Sequence, residues 1–287
     1  MKRRPKDYLV EAADDGLVAA QVGPWGTEKY RRLGMYAEMF STGMKNTWPT
    51  RVYLDLFSGP GHAMLGNPPH RVLTSPLLAL TVPDPFAKYI FCDKNSANID
   101  ALRRRASRMA PETPVAYVVG DVNALVDEIG ALIPPHSSTN KVLNFCFVDP
   151  FKLNIDFATI RNLGADRAMD FLILLALGTD ANRNWATYLL PENKRIESFL
   201  GDPDWRSRWA EAHADGISPI RFLASAYARA MAGLGYKTTS LDQMVRVKTY
   251  GNNMLLYYLA FFSKNQKGYD FWGEVQKYST DQLGLSF

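Results

Sequence analysis

Short apolar segments that alternate with amphipathic ones constrain the fold of this chain more than any other feature. Strands are predicted at residues 51–56, 89–92, 115–119, 141–148 and 170–177. Helices are predicted between them, the clearest over Ser96–Met109, where apolar side chains recur at helical spacing after an Asn95 or Ser96 cap. Strands that are apolar throughout are buried on both faces, so the pattern predicts an α/β, Rossmann-like, mostly parallel sheet covered by helices.

The rest of the chain is expected to divide around this sheet. A helix at 28–44 precedes it, and strands at 242–249 and 253–263 are predicted to add an antiparallel pair. After Gly61, the stretch HAMLGNPPHRV contains glycine and two adjacent prolines, which predicts an irregular lid loop. The predicted division is an N-terminal helical segment at 1–50, a cofactor-binding core at 51–179, a helical insertion for substrate or partner recognition at 180–240, and last strands with a C-terminal helix at 241–287.

Composition excludes several classes of protein. No apolar run reaches the roughly 18 residues that a membrane span needs, and no apolar signal core follows the basic start. Cys92 and Cys146 both lie in predicted strands, which indicates buried thiols in a reducing compartment. The four histidines lack metal-binding spacing. We therefore expect a cytoplasmic protein without a membrane contact or a structural metal, and the net charge of +4 favours a polyanionic partner only weakly.

Acids recur where the predicted strands end. Asp93, Asp121 and Asp149 follow three of the strands, and Asp55 lies just ahead of a glycine turn. Because parallel strands bring their carboxyl ends to one edge, where α/β sheets bind ligands, the four acids are expected to line one site. A single aspartate at such a position is usually only a helix cap.

The turn Phe57-Ser-Gly-Pro-Gly61 adds a place for a nucleoside. Glycines let the backbone approach a ligand closely and adopt positive φ. Asp93 can accept the ribose hydroxyls, and Asp121 beside Val122 can bind adenine. The turn lacks the G-x-G-x-x-G spacing of dinucleotide sites, so S-adenosylmethionine is favoured. The predicted cofactor-binding residues are Trp25, Asp55, Phe57, Ser58, Gly59, Gly61, Asp93, Lys94, Asp121 and Val122.

The tract Asp149-Pro150-Phe151, taken with the FSGPG turn, resembles the methyltransferases that act on amino groups of nucleic-acid bases. The segments VGPWGTEKY, RVYLDLFSGPG, SPLLAL, FCDKN, VDPF and LAFFSKNQKGYDFW are together similar to the bacterial three-Cys-motif partner protein (TcmP) family, over about residues 14–287. These resemblances imply a class I methyltransferase sheet with an antiparallel last strand. The TcmP family also implies a small three-Cys-motif, radical-SAM-like partner protein.

The resemblance to base methyltransferases implies roles for that tract. Asp149 and the Pro150 carbonyl would accept the two amino hydrogens of the target, and Phe151 would stack on a flipped-out base. This chain has one proline where those enzymes usually have two, so its aromatic residue comes one position early. A strand-terminating turn is the structural alternative. Lys152 and Arg183, with Lys194 and Arg195, are predicted phosphate contacts, and Lys152 could instead cap a loop.

Several functions remain open at this point. The leading prediction is a methyltransferase (EC 2.1.1 type) acting on an exocyclic amino group of a nucleic-acid base. The acceptor could instead be a peptide or small molecule made with the three-Cys-motif partner, or the chain could be a subunit that binds cofactor or nucleic acid without transfer activity. A nuclease using Asp55 and Asp149 would leave the glycine turn unexplained. Trp25 could either cover the methionine end of the cofactor or start a helix that packs on the sheet.

Overall fold

The computed structural model describes residues 8–66, 68–249 and 253–283, without the side chains of 278–283. The strands are β1 (Ala20–Gln21), β2 (Thr50–Asp55), β3 (His62–Leu65), β4 (His70–Leu73), β5 (Lys88–Asp93), β6 (Val115–Val119), β7 (Val142–Val148), β8 (Met169–Leu175), β9 (Val245–Lys248) and β10 (Leu255–Phe262). The α-helices are α1 (Gly26–Met44), α2 (Ser75–Leu80), α3 (Ser96–Met109), α4 (Val126–Leu132), α5 (Phe157–Gly164), α6 (Trp185–Leu189), α7 (Arg195–Leu200), α8 (Trp205–Ala214), α9 (Pro219–Gly233) and α10 (Gln266–Leu283).

A seven-stranded sheet with the order β6-β5-β2-β7-β8-β10-β9 forms the centre of the fold. The first five strands in this order, β6, β5, β2, β7 and β8, are parallel to their neighbours. Strand β10 runs antiparallel to both β8 and β9. Every residue of β7 and β8 is buried, as expected for strands that helices cover on both faces. The predicted Rossmann-like sheet, mostly parallel with an antiparallel end, is therefore confirmed.

Predicted and observed bounds agree best where the local periodicity is strongest. The structure has helix Ser96–Met109 and strand Val115–Val119 at the predicted residues. Asn95 caps the helix by accepting a hydrogen bond from the Ala97 amide at 2.9 Å. The helix predicted between the strands at 115–119 and 141–148 is the short α4, Val126–Leu132. The strand predicted at 242–249 is Val245–Lys248, because a 3-10 turn at Leu241–Gln243 takes up the first residues.

The stretch after Gly61 is not the irregular lid loop that its glycine and prolines predicted. Strands β3 and β4 form a hairpin there, and β1 pairs in parallel with β3 to give a second, three-stranded sheet. Gly66, Pro68 and Pro69 lie at the hairpin tip, whereas the residues on either side of it pair between the two strands. The segment at 1–50 consequently contributes a strand as well as helix α1.

Arg105 connects this second sheet to the central one. Its side chain is almost fully buried on α3 and makes two hydrogen bonds to the carboxylate of Asp15, at 2.6 and 2.7 Å. It also donates to the carbonyls of Val18 at 2.8 Å, Leu17 at 3.3 Å and Pro60 at 2.6 Å. One guanidinium therefore holds the N-terminal segment against the glycine turn.

The chain between β8 and β9 is mainly helical. Helices α6 to α9 follow a π-turn at Leu177–Ala181. Trp185 packs edge-to-face on Trp205 and Trp209, and the latter two are buried. These tryptophans belong to the packing between the helices. In the described part of the chain, no helix has both the length and the apolar composition of a membrane span.

Replacing Arg105 with alanine should lower the free energy of unfolding by about 3 to 5 kcal/mol, because Asp15 would be left as an uncompensated, mostly buried charge. Arg108→Ala, at an exposed position of the same helix, is the control and should change stability by less than about 0.5 kcal/mol. Urea unfolding of both variants measures the difference. Equal stability of the two would contradict the role given to Arg105.

Candidate active site

The glycine turn after β2 is held to the end of the neighbouring strand β5. The Ser58 amide and hydroxyl both donate to the Cys92 carbonyl, at 2.8 and 3.1 Å. The Gly59 amide donates to Oδ2 of Asp93 at 2.9 Å. The Gly120 amide, at the end of β6, donates to the Asp93 carbonyl at 3.1 Å. Three strand ends are thereby joined into one edge.

Gly59 and Gly61 are required for different reasons. Both have positive φ, at +60° and +85°. A Cβ on Gly61 would lie 2.9 Å from Leu77 and from Leu102, so this glycine permits close packing. A Cβ on Gly59 would meet nothing within 4 Å. Open space above a backbone that carries no side chain is what a bound nucleoside would need.

The Asp93 carboxylate positions its surroundings. Its Oδ1 accepts hydrogen bonds from the Asn95 amide at 2.8 Å and from the Asn98 side chain at 3.1 Å, while Oδ2 accepts from Gly59. A carboxylate has about four lone-pair sites, so Oδ2 can still accept a hydroxyl. Asp93 thus couples the start of α3 to the glycine turn.

The next strand end is more open. Lys94 and Asp121 face each other with Nζ and Oδ2 3.5 Å apart, and both side chains are exposed. Such a surface pair contributes little to stability, so both side chains can turn toward a ligand. Val122 beside them is buried. An apolar wall next to an exposed acceptor suits an adenine ring.

Asp149, directly after β7, is paired with Lys29 of α1. The distance from Lys29 Nζ to Asp149 Oδ2 is 2.5 Å, and the two side chains are 11% and 15% exposed. Burial alone would lower the pKa of Lys29, but the Asp149 carboxylate, with Tyr30 and Tyr257 nearby, raises it above the ordinary value. Lys29 therefore stays charged and keeps one oxygen of Asp149 occupied.

Asp55 is fully buried beneath the same edge. Burial, with a further contribution from the charge of Asp149, raises its pKa to about 7, although hydrogen bonds from Ser75, the Phe57 amide and Tyr53 act in the opposite direction. The distances from its carboxylate to the Phe57 amide and the Tyr53 hydroxyl are both 3.3 Å. Asp55 is therefore buried beneath the turn and supports it through the hydrogen bond from the Phe57 amide.

The tract after Asp149 combines an anchor with an exposed ring. Pro150 is buried, whereas Phe151 is 87% exposed and Lys152 is exposed. The following Leu153 amide donates to Oδ2 of Asp180 at 2.9 Å. Asp180 lies in the π-turn after β8 and also accepts from Tyr188 and Asn184. An aromatic ring left in solvent next to a fixed carboxylate is available to a planar ligand.

Arg183, Lys194 and Arg195, the other predicted phosphate contacts, differ in their exposure and in their partners. Arg183 is exposed. Arg195 donates to Asp156 at 3.1 Å and to the Leu153 carbonyl at 3.2 Å, and Lys194 pairs with Glu197 at 2.9 Å. Arg195 therefore supports the loop after Phe151 from below.

Trp25 lies at the start of α1, beside Lys29 in space. It is half-buried, and its carbonyl accepts a hydrogen bond from the Tyr257 hydroxyl at 3.5 Å. Its ring packs against Gly23 and lines a cavity next to β9. Trp25 therefore lies on the β9 side of the sheet, whereas the glycine turn follows β2, on the other side of β7.

The structure brings most of the predicted residues to one edge and shows three contacts there that the sequence did not predict. Lys29 as the partner of Asp149, Tyr257 behind it and Asp180 under the Phe151 loop had no local signal, because each contact joins distant parts of the chain. A larger cavity of about 890 Å³ lies between α4 and α5 and contains none of the predicted residues. Within the described ranges, no three His, Cys, Asp or Glu side chains form a metal-binding group.

No family model and no curated protein matches the chain, so the resemblance to the TcmP family stays a prediction. Among solved structures, it is similar to the O-methyltransferase TomG from Streptomyces achromogenes in complex with SAM (13% identity, 82% of this chain and 81% of that chain, TM-score 0.43). It is also similar to Pyrococcus horikoshii TYW2 in complex with MeSAdo (12% identity, 91% and 73%, TM-score 0.43). A putative O-methyltransferase from Klebsiella pneumoniae gives 9% identity, 81% and 80%, and a TM-score of 0.43. These values are too low to transfer an activity, a cofactor or a substrate.

Asp55 should make stability depend on pH. Its pKa is raised in the folded state, so between about pH 4 and about pH 7 the folded protein keeps a proton that the unfolded chain has lost, and stability falls as pH rises. Asp55→Asn cannot titrate. Its stability relative to the wild type should therefore increase by a few kcal/mol, on the order of 4, from about pH 4 to about pH 8.

Urea unfolding across that pH range measures the difference in unfolding free energy between Asp55→Asn and the wild type. The prediction concerns how this difference changes with pH and not its absolute value. Asp121→Asn, an exposed carboxyl at the same edge, is the control. A stability difference between Asp55→Asn and the wild type that stays constant with pH would contradict a proton held on Asp55.

Proposed function

We propose that this protein is an S-adenosylmethionine-dependent methyltransferase. The observation that carries the proposal is the glycine turn, whose Gly59 amide is bonded to the strand-end carboxylate of Asp93 and whose upper face is open. The ribose hydroxyls would bind the free acceptor positions of Asp93, and the adenine would lie between Asp121 and Val122. Phe57, Ser58, Gly61, Lys94 and Asp55 would shape the surrounding walls. When bound, the cofactor supplies an electrophilic methyl group on sulfur.

The proposed acceptor is an exocyclic amino group of a nucleic-acid base. Lys29 holds Asp149 at Oδ2, so Oδ1 remains to accept one amino hydrogen, and the Pro150 carbonyl would accept the other. Phe151, already in solvent, would stack on the base. These contacts would direct the nitrogen lone pair toward the methyl carbon. The protein would contribute positioning and electrostatics, because an in-line displacement requires no nucleophilic side chain.

Two alternatives have support of their own. The single proline and the ammonium already on Asp149 favour a subunit that binds the cofactor without transferring its methyl group. The resemblance to the TcmP family favours a peptide or small-molecule acceptor made with a three-Cys-motif partner protein. Trp25 as a cover for the methionine end and the insertion at 180–240 as a recognition element, with Lys152 and Arg183 as phosphate contacts, remain part of the proposal.

Isothermal titration with S-adenosylmethionine tests the cofactor site. The wild type should bind in the micromolar range, and Gly59→Ala should weaken binding by about tenfold or more, because its methyl group would occupy the ligand's space. Gly216→Ala, after α8, is the matched control. Gly216 also has a positive φ, +74°, and open space around it, so an alanine there meets a comparable backbone strain away from the proposed site.

Asp93→Ala should have a larger effect and abolish measurable binding of S-adenosylmethionine. It removes both the carboxylate that would accept the ribose hydroxyls and the acceptor that holds the Gly59 amide. Folding of each variant is checked by thermal melting. No binding by a folded wild type, or equal loss of affinity in Gly59→Ala and Gly216→Ala, would sink the cofactor proposal.

Transfer of a radiolabelled methyl group to total bacterial RNA and genomic DNA tests the acceptor. Asp149→Asn should reduce kcat by about a hundredfold or more, because it disturbs the orientation of the amino group and leaves Lys29 without its charged partner. Thermal melting checks that this variant is folded. Phe151→Ala should raise KM by about fivefold to a hundredfold, the range for one lost stacking contact.

Met109→Ala, an exposed apolar side chain on α3, is the control and should leave both constants unchanged. Label that appears in a protein or small-molecule fraction instead would support the three-Cys-partner alternative. Cofactor binding without transfer to any fraction would support the non-catalytic one.

A further inference from the structure

A cavity of about 220 Å³ lies between the first turns of α1 and the edge strand β9. Its walls are Trp25, Glu28 and Arg32 from the helix side and residues Val245 to Thr249 from the strand side. None of the functions assigned above uses this cavity, apart from the proposed cover role of Trp25.

Arg32 is the unusual residue in it. The side chain is only 9% exposed, and its Nη1 is bonded to the Glu28 carboxylate. Its Nε is buried and has no hydrogen-bond partner in the described part of the chain. A buried guanidinium donor without an acceptor is costly, and an acceptor brought by a ligand would remove that cost.

The cavity also carries an excess of positive charge. Arg246 and Lys248 on β9 add two cations to Arg32, against the single carboxylate of Glu28. Arg246 lies 3.9 Å from the exposed Asp242, a separation and exposure at which an ion pair is weak. A planar guanidinium with a free donor beside a lysine suits a tetrahedral oxyanion.

The position of the cavity relative to Asp149 indicates which ligand it would serve. In the sheet, β2, β5 and β6, which carry the glycine turn and Asp93, lie on one side of β7, whereas β8, β10 and β9 lie on the other. Lys29, the partner of Asp149, is three residues from Arg32 on the same helix. The cavity therefore lies about one helical turn from Lys29, on the side of β7 away from the glycine turn.

We propose that this cavity is a phosphate subsite for the acceptor strand. It would bind a phosphodiester close to the target base through Arg32, with Arg246 and Lys248 adding attraction. This inference rests on the proposed function, since it names how the same site would hold a polynucleotide.

Fluorescence anisotropy with labelled single-stranded RNA and DNA of mixed sequence, titrated at several salt concentrations, tests the subsite. The double variant Arg246→Ala/Lys248→Ala should bind about tenfold more weakly. It should also reduce the slope of log K against log salt by about 1 to 2, because a protein that makes fewer phosphate contacts releases fewer counterions when it binds. Arg32→Gln should also bind more weakly, and it keeps most of the side-chain volume in the cavity.

Arg104→Ala/Arg108→Ala is the matched control, because it removes two exposed cations from α3, far along the chain from the cavity. Affinity and salt slope in the Arg246/Lys248 variant equal to those in this control would overturn the subsite. Competition by poly-glutamate as effective as that by unlabelled oligonucleotide would also overturn it, since the cavity would then take anionic peptides.

Titration of the same proteins with S-adenosylmethionine separates this inference from the proposed function. If the wild type and the Arg246/Lys248 variant bind the cofactor equally but do not differ in oligonucleotide binding, the subsite alone is wrong. If the wild type binds no cofactor yet the variants lose oligonucleotide affinity as expected, the subsite stands and the methyltransferase proposal fails.

Discussion

The ion pair between Lys29 and Asp149 is the interaction on which the site depends. Two largely buried charges must be paired, and this pair joins the first turn of α1 to the carboxyl end of the central strand β7. The charge of Asp149 also helps to raise the pKa of the buried Asp55. Under the proposed function, the strand-end edge has a cofactor side, with the glycine turn and Asp93, and an acceptor side, with Phe151, Arg32 and Lys248, and Asp149 lies between them.

The cofactor side is built mainly from backbone. Gly59 and Gly120 donate to the carboxylate and the carbonyl of Asp93, so the shape of this side depends on strand ends that the sheet already holds in register. The acceptor side is built from side chains such as Phe151, Arg32 and Lys248, whose exposure or missing partners leave capacity for a ligand. A rigid cofactor side and an adaptable acceptor side suit an enzyme that must position one reactant before the other arrives.

Local patterns predicted what depends on local physics. Helix Ser96–Met109 follows from its cap and its apolar spacing, and the buried strands follow from continuous apolar runs, so the sheet and the strand-end acids could be anticipated. The hairpin after Gly61 could not, because the glycine and prolines at its tip masked two pairing strands. Lys29 with Asp149, and Arg105 with Asp15, join residues 120 and 90 positions apart. No periodicity reports a contact at that separation, so the sequence located the acids but not their partners.

A crystal structure of the complex with S-adenosylhomocysteine is the most direct test of the central claim that the Gly59 turn and Asp149 form one reaction site. The account predicts ribose hydroxyls within hydrogen-bond distance of Asp93, adenine beside Val122, and the sulfur between the glycine turn and Asp149. It would be contradicted by a ligand bound in another cavity, such as the one between α4 and α5. An empty glycine turn at saturating ligand would contradict it equally.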